Sequence, residues 1–258
     1  MVALSLSKRL WQAALWAACS LSAAVYAACP PPESISSPLF VSQVTDGDTV
    51  RLETGERVRL VGINAFEMKS TGWQGRYASQ ARDRVEALVH RSIQLTPWPA
   101  PTDRYGRLLA NIWLGNSYVA EHLVSDGLAL SVQVPPNVRL ADCLREHEVR
   151  AQTLKHGVWA LDVLPLSLSE LDDLGGFQDV VGQVTRVEQG RTPAIILDKR
   201  LRVEWLRDLA TPATGEQVRV RGWVGRAPKT HRSETPWRLR VLHPYNVEVP
   251  FRTAAGVK

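Results

Sequence analysis

Three carboxylates and two guanidiniums stand at spacings that serve one reaction. Asp46 and Asp48 flank a glycine in D-G-D-T, Arg59 opens and Glu67 closes R-L-V-G-I-N-A-F-E, and Arg107 closes D-R-Y-G-R. A phosphodiester is negatively charged and repels hydroxide. Its hydrolysis calls for a cation on a phosphoryl oxygen, a base for water, and fixed positive charge where charge builds. Carboxylates suit the first two tasks and the guanidinium fork suits the third. Singly, each motif is ordinary: a turn, a loop with a salt bridge, a surface acid. Their order and joint presence carry the functional reading.

The elements that must position these groups can be read from periodicity. Val44 to Glu67 has the pattern of a β-hairpin, with Val50 and Leu52 on one strand, Val58, Leu60 and Val61 on the return, and Gly55 in the turn. The segment M-K-S-T-G-W-Q-G reads as a loop, followed by an amphipathic helix over 77–89. A strand is expected over 93–95, and the stiff P-W-P-A-P-T loop leads into a strand running through Asp103–Leu114. Helices are expected over 118–126 and 140–156, the latter with Leu140, Cys143, Leu144, His147, Ala151 and Leu154 on its buried stripe. His147 there reads as a core histidine.

The ordered set D-G-D-T, R-L-x-G-I-x-A-x-E and D-x-Y-G-R resembles the staphylococcal nuclease (thermonuclease) family over about Phe40–Trp159, and H-G-V-W at 156–159 resembles that family's last helix. The resemblance implies a five-stranded OB-type barrel with three helices over 39–162. It also implies a calcium ion held by Asp48, the Ala65 carbonyl and position 64, with Glu67 as general base. Arg59 and Arg107 would grip the phosphate, Arg104 and Tyr105 would contact substrate, and Asp46, Thr49 and Asp103 would shape the site. Three positions depart from the family pattern. Asn64 replaces Asp and removes a ligand charge. Phe66 replaces the Pro that fixes the backbone before the base. The segment Leu130–Pro135 lacks the family's base-stacking tyrosine, with Gln133 near its place.

The chain has 258 residues, 45% of them hydrophobic and 22% charged, as expected of a soluble globular protein with room for a second small domain. Net charge is +5 and the pI about 9.3, which allow a nucleic-acid partner. Lys8 and Arg9 followed by an apolar run to Ala24 read as a signal peptide over 1–28. The run is short for a bilayer span, so an exported protein, periplasmic or secreted, is expected. Residues 29–38 have linker composition. Cys29 and Cys143 remain in the mature chain; a disulfide between them and a reduced core Cys143 are both open. No cysteine–histidine spacing marks a zinc site.

Beyond a connector over 163–176, residues 177–250 read as short strands with no helical period, a small basic β-domain resembling the OB-like tail of some exported family members; 251–258 is a tail. Val218, Val220 and Val224 fall on one face of a strand, and Arg219, Arg221 and Trp223 on the other. Arg238 and Arg240 alternate with Leu239 and Val241. An exposed face of arginine and tryptophan suits backbone contact and base stacking; a merely solvated sheet face reads the same way. The fold class is therefore α+β, mainly β. The functional reading is an exported calcium-assisted nuclease of DNA or RNA, the alternative a catalytically impaired nucleic-acid-binding protein of the same fold.

Overall fold

The computed structural model describes residues 28–250 other than 33, 97, 99 and 228–234; all but the last residue of the signal peptide expected over 1–28, and the tail over 251–258, lie outside the described residues. Among the described residues no helix is long and apolar enough to cross a membrane.

The first unit contains β1 (Leu39–Asp46), β2 (Thr49–Leu52), β3 (Arg57–Leu60), β4 (Ile63–Ala65), α1 (Gly72–Glu86), β5 (Ser92–Thr96), β6 (Leu108–Leu114), β7 (Ser117–Tyr118), α2 (Val119–Ser125), β8 (Ala129–Ser131) and α3 (Ala141–Thr153). Its sheet runs β3-β2-β1-β5-β6-β7, and a parallel β3–β6 pairing closes β1, β2, β3, β6 and β5 into a barrel. Alternation dictates the inner wall: Val50 and Leu52, Val58 and Leu60, and Ile93 and Leu95 all point inward and are buried. Val41 and Val44 break that period yet are both buried, because β1 carries register shifts against β2, the signature of a bulge. The three helices pack outside, and β4 pairs with β8.

Two boundaries differ from expectation. Helix α1 begins at Gly72, not Tyr77. Two glycines argue for a loop there, but Trp73 packs edge-on against Phe66 at 5.3 Å and pins the first turn. D-R-Y-G-R is a turn before β6, not part of the strand: Gly106 has φ +71, and the Asp103 carboxylate accepts from the Tyr105 and Arg107 amides.

The second unit is β9 (Leu166–Ser167), β10 (Gly176–Glu188), β11 (Ala194–Leu197), β12 (Leu201–Glu204), β13 (Gln217–Arg226), β14 (Trp237–Arg240) and β15 (Val247–Glu248). The sheet order is β15-β13-β14-β12-β11-β10-β9, and a β13–β10 pairing closes a second five-stranded barrel. The stretch read as a connector belongs to its wall. Leu168 and Leu174 are fully buried in the second core, and β9 pairs in parallel with β10.

The expected linker over 29–38 is likewise tied down at Cys29 and Ser36, contrary to its composition. The Ser36 amide donates to the Leu95 carbonyl and its hydroxyl accepts from the Leu95 amide, satisfying backbone groups of β5. At the other end Cys29 is buried and joined to Cys143 by a disulfide across 114 residues of sequence. Closing so long a loop restricts the unfolded chain, and Cys29→Ser with Cys143→Ser is expected to lower stability by about 2–4 kcal/mol in denaturant unfolding. The fold also brings Glu121 and His147 to within 4.8 Å of these sulfurs, a grouping no sequence spacing announced. Oxidised as a disulfide, the sulfurs are not thiolate ligands. His147 sits instead in a buried polar network with Glu121 and Ser125.

Candidate active site

The β1–β2 turn sets the acids. Asp46 Oδ1 accepts from the Asp48 amide at 3.0 Å, and Gly47 between them is pressed against the helix. A Cβ at position 47 would lie 2.5 Å from the Ala81 Cβ and 2.8 Å from the Ala65 Cβ, so only glycine lets the turn nest between α1 and β4. That contact brings Asp48 beside the strand bearing positions 64 and 65. Asp48 Oδ2 accepts from the Ala65 amide at 2.8 Å and from Arg59 Nη2 at 3.0 Å. Burial pushes the Asp48 carboxyl up to about 7; Arg59 pulls against that shift and Asp46 adds to it.

Arg59, on β3, is almost wholly buried and aims its guanidinium into the same corner, where it also donates to Asn64 Oδ1 at 3.1 Å. Asn64 Nδ2 in turn donates to the Ala65 carbonyl at 2.8 Å. Arg107 arrives from the D-R-Y-G-R turn. Its Nε donates to Asp103 Oδ2 at 2.7 Å and its Nη1 to Thr49 Oγ1 at 3.4 Å, while Thr49 Oγ1 donates to Asp48 Oδ1. Thr49 thus bridges the second arginine to the acids. Burial would raise the Asp103 carboxyl, but the Arg107 amide and side chain and the Tyr105 amide outweigh it and hold it below the usual range.

Tyr105 is exposed, with Arg104 and Arg107 over its ring at 4.8 and 5.6 Å. Glu67 is exposed two residues past the end of β4. All these side chains except Thr49 and Ala65 line one open cleft of about 930 Å³. Phe66 does what a proline would do by other means: its ring meets Trp73 edge-on and Tyr77 at 6.4 Å, anchoring the residue before Glu67 to α1. If Glu67 is the base that the family resemblance implies, Phe66→Ala is expected to lower turnover about tenfold with little change in substrate affinity, because misaiming a base acts on the chemical step.

The donor set fits a hard divalent cation. Asp46, Asp48, the Asn64 amide oxygen, the Ala65 carbonyl and Glu67 offer oxygens only, and burial together with the neighbouring Asp46 disfavours charge on Asp48, a penalty that a cation would relieve.

The second barrel corrects one expectation. The Arg219 and Arg221 face of β13 is not solvent-facing. Arg219 makes a two-pronged pair with Asp179 at 2.8 and 2.7 Å. Arg221 is buried, bonded to Asp179, to both Glu148 oxygens and to the Ser131 carbonyl. The strand has two faces, and the outer one is covered by α3 and β8 of the first unit. Arg238 and Arg240 remain on a surface, each paired with Glu204. Trp223 remains half-exposed and lines the same cleft as Asp48, Arg59, Glu67 and Arg107, together with Phe177. Sequence reading missed Phe177 and Arg57, whose Nη2 donates to the Tyr105 carbonyl. Arg57 had a signal, lying two residues before Arg59 on the same strand face; Phe177 had none. Gln133 is buried, its amide and carbonyl clasped by the Asn246 side chain of the second unit at 2.9 and 2.7 Å.

An OB-type barrel with carboxylates and two arginines converging in one cleft defines a class, and comparison with known proteins agrees. Residues 57–161 match the family described as staphylococcal nuclease homologue. The thermonuclease of Staphylococcus hyicus is 30% identical over 125 residues, 46% of this chain and 74% of that protein, and the thermonuclease of Staphylococcus intermedius matches to the same extent. The SPbeta prophage-derived endonuclease YokF of Bacillus subtilis (strain 168) is 29% identical over 127 residues, 46% of this chain and 43% of that protein. The chain belongs to the staphylococcal nuclease family.

Proposed function

We propose that this protein is an exported, calcium-assisted nuclease that hydrolyses phosphodiester bonds of DNA or RNA with little sequence preference, leaving 3′-phosphate ends. The observation that carries the reading is the single cleft into which Asp48, Glu67, Arg59 and Arg107 converge from four separate segments. Export rests on the leader and on the disulfide, which suits an oxidising compartment, periplasmic or extracellular.

Asp48, the Ala65 carbonyl, Asn64 and Asp46 would hold the calcium. When bound, the ion would polarise the phosphoryl oxygen and draw water to the site. Glu67 takes a proton from the attacking water, whose oxygen bonds to phosphorus as the bond to the 5′ oxygen breaks; that oxygen leaves with the bonding pair and takes its proton from solvent. Arg59 and Arg107 stabilise the charge gathering on the phosphoryl oxygens. Asp103 and Thr49 hold Arg107 in place, so its charge is preorganised rather than recruited. Arg104 and Tyr105 form the outer wall against which the strand's phosphates pass.

A specific observation favours the impaired-site alternative: the Asn64 amide already donates to the Ala65 carbonyl, a would-be ligand. The test is a calcium titration of cleavage on single- and double-stranded DNA and RNA, with a chelator control. Chelator-sensitive cleavage supports the nuclease reading; folded protein that stays inert at millimolar calcium sinks it. Asn64→Asp removes the amide donor and restores one ligand charge, and unit charges even about 4 Å apart attract by about 1–4 kcal/mol. It is expected to lower the calcium midpoint about tenfold.

A further inference from the structure

We propose that Trp223 is a base-stacking residue, by which the second barrel supplies the catalytic cleft with a platform for an unpaired base beside the scissile phosphate. Single-stranded nucleic acid is then the preferred polymer. The assignment rests on the nuclease reading of the cleft.

Among the described tryptophans Trp223 is the most open: Trp98, Trp113, Trp159, Trp205 and Trp237 are at most 9% exposed and Trp73 is part-buried, whereas Trp223 is 47% exposed. Its exposure is supported from behind. Across the β10–β13 ladder Trp223 faces Phe177, the rings meet edge-on at 5.2 Å, and Phe177 packs against the core of the first barrel. Two residues away, Arg221 is locked to Asp179 and Glu148, which fixes the strand that carries the indole. A rigid, half-open aromatic contributes stacking area at small entropic cost.

Its position is equally specific. Trp223 borders the catalytic cleft, and it also borders a recess of about 210 Å³ that Arg59, Arg107, Val132 and Val134 share. A third groove, of about 270 Å³, runs from Trp223 to Arg238 and Arg240, whose two positive charges share the Glu204 carboxylate. A phosphate held by Arg59 and Arg107 therefore has an apolar recess with an indole wall next to it, and arginines further along. That alternation of aromatic surface and cation suits a single strand, whose bases turn outward; bases stacked inside a duplex are not available to the indole. Residues 130–135 contain no aromatic and Gln133 is buried, while the Tyr105 ring is already flanked by two guanidiniums.

The test measures binding of fluorescently labelled strands to full-length Glu67→Gln protein in calcium, by anisotropy. The strands are oligo-dT, a strand of equal length whose sugars carry no bases, and a duplex. The same measurements are made with Trp223→Ala and Trp223→Phe added. The parent is expected to bind oligo-dT more tightly than the base-free strand. Trp223→Ala is expected to narrow that difference by about 5- to 100-fold, the range for losing one stacked base, and Trp223→Phe to retain most of it. Equal weakening on both strands, no weakening, or an equal effect on duplex would overturn the proposal. Because Trp223 is half-exposed, its variants should keep the parent's unfolding midpoint. Cleavage by the unaltered protein is assayed alongside. Cleavage without a Trp223-dependent base effect leaves the nuclease reading standing and removes the stacking; a base effect without cleavage does the reverse.

Discussion

Glu67→Gln is expected to cut the rate of phosphodiester cleavage at saturating calcium by about 10²–10⁴-fold, the range set by removing a general base. The amide is nearly isosteric with the carboxylate, and Glu67 is exposed at the end of β4 rather than part of a core, so the unfolding midpoint should not move. The loss should fall on kcat, because the base acts on water in the transition state and does not grip the polymer. Binding of uncut oligonucleotide should persist, since Arg59 and Arg107 keep their partners Asp48 and Asp103. Single-turnover cleavage measured beside equilibrium binding checks both halves. A Glu67→Gln enzyme that cuts within threefold of the parent would remove Glu67 from the chemistry and leave the cleft without an assigned base.

The second large effect lies far from the cleft's mouth. Arg221→Met is expected to destabilise the protein by about 3–5 kcal/mol, the cost of stranding buried charge. Arg221 joins Asp179 of β10 to Glu148 of α3 and to the Ser131 carbonyl of β8, and Glu148 accepts from the Ser131 amide. Asp179 retains Arg219 when Arg221 is lost, so Glu148 is the group left uncompensated. Adding Glu148→Gln, which keeps an acceptor for Ser131 and removes the charge, should recover part of the stability. Activity should fall as well. Ser131 pairs with Ile63, and the same β4–β8 ladder carries Asn64 and Ala65, so the network braces the strand that presents the candidate ligands and leads to Glu67.

The same network should make the fold acid-sensitive. Burial would raise the Asp179 carboxyl, but Arg219 and Arg221 outweigh it and hold it far below the usual range. A carboxyl depressed in the folded state binds its proton first in the unfolded chain. Its contribution is therefore complete above the ordinary carboxylate pKa of about 4 and is lost as pH falls below that. Denaturant unfolding from pH 7 down to 3 should show stability dropping at the acid end, with a shallower drop in Asp179→Asn.

The nuclease-like half was legible because its signals are local. Hairpin alternation located β2 and β3, and the order of three short motifs located Asp48, Arg59, Glu67 and Arg107. The helix start at Gly72 was not legible: Gly72 and Gly75 argue for a loop, and only the Phe66–Trp73–Tyr77 contact overrides them. For the second barrel, the strand period announces short strands without helices over 177–250, where β10 to β14 lie almost entirely. It could not say which partner each face would meet. Alternation puts Arg219 and Arg221 on an open face, whereas in the structure Asp179 takes both and Arg221 bonds Glu148 and Ser131 of the first unit.

The sequence by itself determined what depends on near neighbours: the strands of both barrels, the motif order, and the chemical types of the cleft's acids and arginines. Tertiary structure alone decided what depends on distant surfaces meeting. It closed Cys29 onto Cys143, set Asn64 on the Ala65 carbonyl, buried Arg221 between Asp179 and Glu148, and left Trp223 open beside Arg59 and Arg107. Alternation along a strand fixes that two faces exist. Which of them is covered depends on the shape and charge of an element far away in the chain, and that information belongs to no local window of residues.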